Sequence, residues 1–129
     1  MKTVDVSNNK LDVIYRGANF GIKKMSASCF YTYEQDIAED YALMNENPCL
    51  YTFCVDGLKF MVVNNNEDVD DGAEYFDKEI IEKYDGVRTE NYAQVLMFGE
   101  FDCITGKFKK SDYETVISMS QSKERRYDR

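Results

Sequence analysis

Short apolar stretches alternate with polar turns along the whole chain, and their periods predict the elements. Leu11–Arg16 alternates as a strand does and is expected to end at Gly17, with a loop over Ala18–Lys24. Ser26–Tyr31 reads as a short strand, and Ile37, Ala38, Tyr41 and Ala42 fall at helical spacing within Tyr33–Met44. Thr32 is the expected N-cap of that helix, Glu34 and Asp36 suit its positive end, and Asn45-Glu46-Asn47-Pro48 stops it. Cys49–Val55 and Leu58–Val63 read as a hairpin around Asp56-Gly57. Asn64–Asp71 reads as a polar loop, followed by a second helix over Gly72–Tyr84 with Ala73, Phe76, Ile80 and Ile81 inward. Val87-Arg88 and Ala93–Phe98 are expected strands. Phe101–Ile104 and Lys107–Phe108 continue as strands around Thr105-Gly106. Ser111-Asp112 caps a last helix near Tyr113–Met119, before a charged tail from Gln121 to Arg129; the polar residues 1–10 are expected to fray or to form an edge strand.

Strands and helices intersperse with short turns, and no repeat or linker interrupts them. The expectation is an α+β fold: one domain over residues 1–129, a mainly antiparallel sheet and two or three helices. A chain of 129 residues buries roughly two thirds of its unfolded surface, enough for a core without staples.

Composition narrows the chemistry. The net charge of −8 disfavours phosphate-backbone binding and anionic membranes, so nucleic acid is not expected as the main ligand. No apolar run approaches the ~18 residues of a membrane span, and Met1–Asp5 has no apolar signal core, so a cytoplasmic protein is expected. The sequence has no histidine, which removes Ser-His and Cys-His catalysis and most zinc sites. Cys29, Cys49, Cys54 and Cys103 lack CxxC spacing and are expected to be buried free thiols rather than disulfides or metal ligands. The acidic run from Asn64 to Gly72 does not match an EF-hand loop, its glycine being misplaced, and reads as solvated. No metal site is expected.

Three groups suggest a ligand cleft. Arg16-Gly17 pairs a planar guanidinium with a bare backbone. Ser26 and Ser28 offer hydroxyls to a sugar. In Phe30-Tyr31-Thr32-Tyr33 a tyrosine face is available to a flat ring. Each alone is more often a surface pair, a polar edge or a core aromatic.

Taken in order, these groups resemble the ADP-ribosyltransferase superfamily over residues 11–108. The matching pieces are Tyr15-Arg16-Gly17, Phe30-Tyr31-Thr32, Ala38 with Tyr41-Ala42, and Tyr84-Asp85-Gly86-Val87. The resemblance implies an ADP-ribosyltransferase-like fold that uses NAD as substrate. It assigns Tyr15, Arg16, Gly17, Ser26, Ser28, Tyr31 and Tyr41 to NAD binding: Gly17 to the nicotinamide amide, Arg16 to the ribose or pyrophosphate side, the serines to that ribose, Tyr31 to stacking on nicotinamide. The bond from ribose to nicotinamide breaks through a cationic transition state, which a carboxylate stabilises. The family places a glutamate four residues before an aromatic, where this chain has Gln94 before Phe98. Gln94, Glu90 and Glu100 are therefore the candidate polarising groups, beside Arg16 and Tyr31. The implied function is an NAD-dependent ADP-ribosyltransferase acting on a protein or nucleic-acid acceptor, a protein target being expected, as an effector of phage or mobile-element type at work in the host cytoplasm against its defences. The alternative is an inactive fold that binds a nucleotide, or that inhibits a basic protein partner through its acidic surface.

Overall fold

A computed structural model describes residues 3–6, 13–91 and 94–127. The expected strand positions Leu11, Asp12 and Ala93 lie outside the described residues, as do Tyr92 and the last two residues of the tail.

The chain is an α+β protein with mostly antiparallel sheets and, among the described residues, four α-helices. The strands are β1 (Thr3–Val6), β2 (Val13–Asn19), β3 (Lys24–Met25), β4 (Phe30–Tyr31), β5 (Pro48–Cys54), β6 (Phe60–Val63), β7 (Gly86–Thr89), β8 (Val95–Met97), β9 (Gly99–Asp102) and β10 (Phe108–Lys110). The helices are α1 (Gln35–Ala42), α2 (Asn66–Asp70), α3 (Lys78–Lys83) and α4 (Tyr113–Tyr127), with a 3-10 turn at Ala73–Tyr75. A five-stranded sheet runs β1-β6-β7-β8-β4; β10-β9-β3 and β2-β5 form smaller sheets. The pair β6–β7 is parallel, with α2 and α3 in the crossover such a pair requires.

The large sheet divides the interior. Met61, Val63, Val87 and Leu96 pack toward Val69, Ala73, Phe76, Ile81 and Val116, which the helices and the 3-10 turn supply. On the other side Phe60, Val95 and Met97 meet Ile14 and Phe53 of the β2-β5 ribbon and Met25 and Phe101 of the third sheet. Alternation along β6 and β8 thus feeds two cores, which is why these two strands read as unbroken apolar runs.

Several expectations change. Gly17 does not end its strand: β2 continues to Asn19, with Gly17 opposite Leu50. Asp56-Gly57 does make a turn, with Leu58 N–H donating to the Val55 carbonyl at 3.1 Å and Gly57 at φ 84. It does not make a hairpin. β5 pairs with β2 along its whole length, whereas β6 inserts between β1 and β7. All four residues of β6 are buried, so it needs a partner on each edge, and the turn carries the chain from one sheet to another.

Ser26–Cys29 forms a turn rather than a strand, because Ser28 sits at φ 68; Ser28 N–H and the Cys29 carbonyl still bond the Met97 backbone at 3.0 and 3.5 Å, and β4 keeps only Phe30 and Tyr31. The run after Asn64 folds into α2, capped by Asn65, whose side chain accepts from Glu67 N–H at 3.0 Å. The expected second helix splits, because Asp77 accepts from Ile80 N–H at 2.8 Å and starts α3 afresh. Thr32 does not cap α1 directly. Its backbone exchanges both bonds with Tyr15 (2.8 and 3.0 Å), its hydroxyl accepts from Glu34 N–H at 3.0 Å, and the helix begins one residue after Glu34. The last helix runs past Met119 to Tyr127, into the stretch expected to be loose, with Asp112 accepting from Thr115 N–H at 2.8 Å. Strands β9 and β10 pair around Thr105-Gly106 as the sequence suggests. All four cysteines are free, but burial does not hold for each: Cys29 is buried, Cys49 and Cys103 are half-buried, and Cys54 is exposed. No helix among the described residues is long and apolar enough to cross a membrane.

Two predictions follow from this packing. A Cβ on Gly17 would stand 2.0 Å from the Ala38 carbonyl oxygen and 2.3 Å from Ala42 N, both backbone atoms of α1. Gly17→Ala must push α1 off β2 and is expected to cost at least about 2 kcal/mol in chemical denaturation. The Asp102 carboxylate accepts from the N–H groups of Ile104 (2.8 Å) and Thr105 (3.0 Å), which hold its titration below the usual 3.8. A depressed native pKa gives stability that is present above the unfolded value and lost as pH falls through the native one. Amide exchange at Ile104 and Thr105 should therefore accelerate only below the ordinary carboxylate range, and Asp102→Asn should abolish that acid step.

Candidate functional site

A cleft of about 550 Å³ opens between α1, α2 and the ends of β2, β4 and β8. That volume falls within the roughly 300–1,000 Å³ of small-molecule sites. Each wall is set by local folding. The β2 segment Tyr15-Arg16-Gly17 lies along it because Tyr15 bridges Thr32 on one side and Gly17 admits α1 on the other. Helix α1 presents Ile37, Ala38 and Tyr41. Burial of Val69 under the sheet fixes α2 and sets Asn66 and Asp70 on the rim. Gln94 enters from the start of β8.

Of the residues singled out in the sequence, Tyr15, Arg16, Gly17, Tyr31, Tyr41 and Gln94 line this cleft. Ser26, Ser28 and Glu100 do not. Ser26 lies beside Cys29 Sγ at 3.6 Å. Ser28 is buried and donates to the Val116 carbonyl at 2.9 Å, tying the turn to α4. Glu100 stands on β9 in the third sheet, opposite Lys109 and 3.9 Å from Lys24 Nζ, so its charge is engaged away from the cleft. Glu90 is exposed in the turn after β7 and is not among the lining residues.

The polar groups of the cleft are incompletely paired. Arg16 Nη1 donates to the Phe30 carbonyl at 2.8 Å, while its Nε is buried and has no hydrogen-bond partner among the described residues. The same holds for the Gln94 Oε1 acceptor and the Tyr31 hydroxyl. Buried polar atoms are normally satisfied, and three of the four such side-chain atoms without a partner among the described residues belong to residues that line the cleft. Among the described residues, no group of three or more His, Cys, Asp or Glu is placed to hold a metal ion.

Tyr31 itself is a core ring. It is 3% exposed, set edge-on to Phe53 at 5.9 Å and Phe101 at 5.6 Å, with the Arg16 guanidinium 6.0 Å from its centroid. Burial, with Cys29, pushes its hydroxyl well above the ordinary tyrosine range; Arg16 opposes the shift and Cys103 adds to it. Tyr31 is thus neutral at physiological pH and offers no open face for stacking. Phe30, at 36% exposure, and Tyr41, at 56%, are the accessible aromatic rings of the cleft. Gly17 likewise serves helix packing rather than leaving bare backbone for a ligand.

The sequence reading missed Asn66 and Asp70. The signal was present: Asn65 is a favoured N-cap residue and is followed by acidic Glu67 and Asp68, which suit a first helical turn. Comparison with protein-family models, curated proteins and solved structures found no match for this chain.

Removing the Tyr31 hydroxyl should relieve an unsatisfied buried group. Tyr31→Phe is expected to leave stability within about 1 kcal/mol of the parent or to raise it. A loss beyond that in urea denaturation would mean that the hydroxyl has an unseen partner.

Proposed function

We propose that the cleft binds NAD and that the chain is an ADP-ribosyltransferase or NAD glycohydrolase acting on a protein target, with the fold of that superfamily. The observation that carries this reading is the meeting of Tyr15, Arg16, Gly17, Tyr41 and Gln94, drawn from three separate stretches of sequence, around one cleft of suitable size. Arg16 has the chemistry for the pyrophosphate or ribose. Its guanidinium is always charged, half-buried, and within 4.0 Å of no carboxylate among the described residues. Phe30 and Tyr41 supply accessible rings for the flat base, a role that the resemblance assigned to Tyr31. Gln94 is an amide whose oxygen lacks a partner, suited to accept from a ribose hydroxyl or a carboxamide N–H.

A second reading, binding without turnover, is favoured by one observation: Gln94 is neutral where the family pattern calls for a carboxylate, and Glu90 and Glu100 do not line the cleft.

Titration calorimetry with NAD, alongside chromatographic detection of released nicotinamide, tests both readings. Binding in the micromolar to millimolar range is expected. Arg16→Ala should weaken it about tenfold or more, and Gln94→Ala a few-fold, consistent with hydrogen bonds to a charged and a neutral group. Heat on mixing with no nicotinamide released selects the second reading. Absence of both leaves an acidic α+β protein whose cleft serves some other ligand.

A further inference from the structure

The cleft contains a carboxylate that the sequence pattern did not suggest. Asp70 closes α2 and lines the same cavity as Arg16 and Gln94. It is the one carboxylate among the described lining residues. It is exposed and has neither an ion pair nor a side-chain hydrogen bond among the described residues, so nothing in the fold uses its charge. Its backbone is nonetheless fixed, because Val69 beside it is fully buried under the sheet and Asn65 caps the helix that carries both.

We infer that Asp70 is the carboxylate that stabilises positive charge in this cleft during cleavage of the nicotinamide–ribose bond. The inference rests on the NAD reading above and supplies the charge that Gln94 lacks. In the step, the bond from C1′ of the ribose to the pyridinium nitrogen breaks. Its electron pair leaves with neutral nicotinamide, and the positive charge moves to C1′ and the ring oxygen. Water or an acceptor hydroxyl then adds to C1′ and releases its proton to solvent. Asp70 takes up no proton. It acts through its field on the oxocarbenium-like transition state, an effect larger at that stage than on the ground state because the charge there is concentrated on the sugar. Gln94 holds the ribose by hydrogen bonding, so the two side chains divide work that one glutamate does in the family pattern.

The experiment is steady-state nicotinamide release from NAD by the full chain and its Asp70→Asn and Asp70→Glu variants, with the melting temperature of each recorded. Asp70→Asn is nearly isosteric and removes only charge. It should lower kcat about tenfold or more while KM stays within about threefold, the signature of an interaction made chiefly in the transition state. Its melting temperature should be unchanged, because the side chain is exposed and unbonded. Asp70→Glu should retain part of the rate, and Gln94→Glu should restore turnover in the Asp70→Asn background by returning a carboxylate to the cleft. Release by Asp70→Asn within twofold of the parent overturns the role of Asp70 and leaves the NAD reading standing. A parent chain that releases no nicotinamide overturns the role of Asp70 as well. In that case calorimetric binding of NAD decides whether the ligand reading also falls.

Discussion

The contact on which the rest depends is backbone against backbone: α1 lies on β2 at Gly17, with no side chain between them. Any Cβ there meets the Ala38 carbonyl and the Ala42 amide of the helix at distances that no packing tolerates. Ala38 and Ala42 complete the arrangement, since both are buried and small. So close an approach has a geometric consequence. The next side chains along the helix, Ile37 and Tyr41, are brought to the edge of β2 and form one wall of the cleft. A larger residue at position 17 would fill the joint and move that wall away. The triplet Tyr15-Arg16-Gly17 therefore combines three tasks, a bridge, a charge and a docking surface, one from each residue in turn.

The large sheet supplies the second constraint. Its strands are short, and β6 and β8 each turn one face to the helices and the other to the two smaller sheets. With both faces covered, polar groups have little room inside. Arg88, Thr32, Thr89, Ser28 and Ser120 are the buried polar residues among those described. The cleft lies at the ends of β4 and β8, where Phe30, Thr32 and Gln94 line it together with residues of α1 and α2.

How much of this was legible in the sequence depended on the range of the interactions. Local chemistry read well. Thr105-Gly106 gives a hairpin, Asp112 caps a helix, and the apolar positions Ala73, Phe76 and Ile81 are buried as their spacing suggests. Pairing read poorly, because a turn signal specifies a reversal and not a partner. Asp56-Gly57 was real as a turn, yet the strands on either side belong to different sheets. For the site, residue type was informative and orientation was not. Tyr15, Arg16, Gly17, Tyr31, Tyr41 and Gln94 reach one cleft, but Tyr31 is the buried ring and Phe30 the exposed one, since successive residues of a strand point to opposite faces. Ser28 was lost to a left-handed backbone that no serine announces. Asp70 was hidden by composition: an acidic run looks uniformly solvated until Asn65 converts it into a helix and Val69 anchors one face.

The charge distribution gives the strongest physical reason to regard the cleft as a site rather than a packing fault. Arg16 sits half-buried on β2 in a chain with a net charge of −8, where carboxylates are abundant, yet among the described residues none pairs with it. Its contact with the Phe30 carbonyl and the Tyr31 ring satisfies part of the guanidinium and leaves Nε idle. Desolvating a cation without a full set of partners costs several kcal/mol in general, and an apolar residue of similar length would fill the same space more cheaply. In a protein with so many carboxylates, an arginine that none of the described ones neutralises leaves an electropositive point at the mouth of the cleft. Asp70, which lines the same cleft, is the complement, a negative charge with no ion pair among the described residues. On the NAD reading proposed above, a ligand that carries phosphate at one end and positive charge at the other would answer both charges together, a selection that neither residue would make alone.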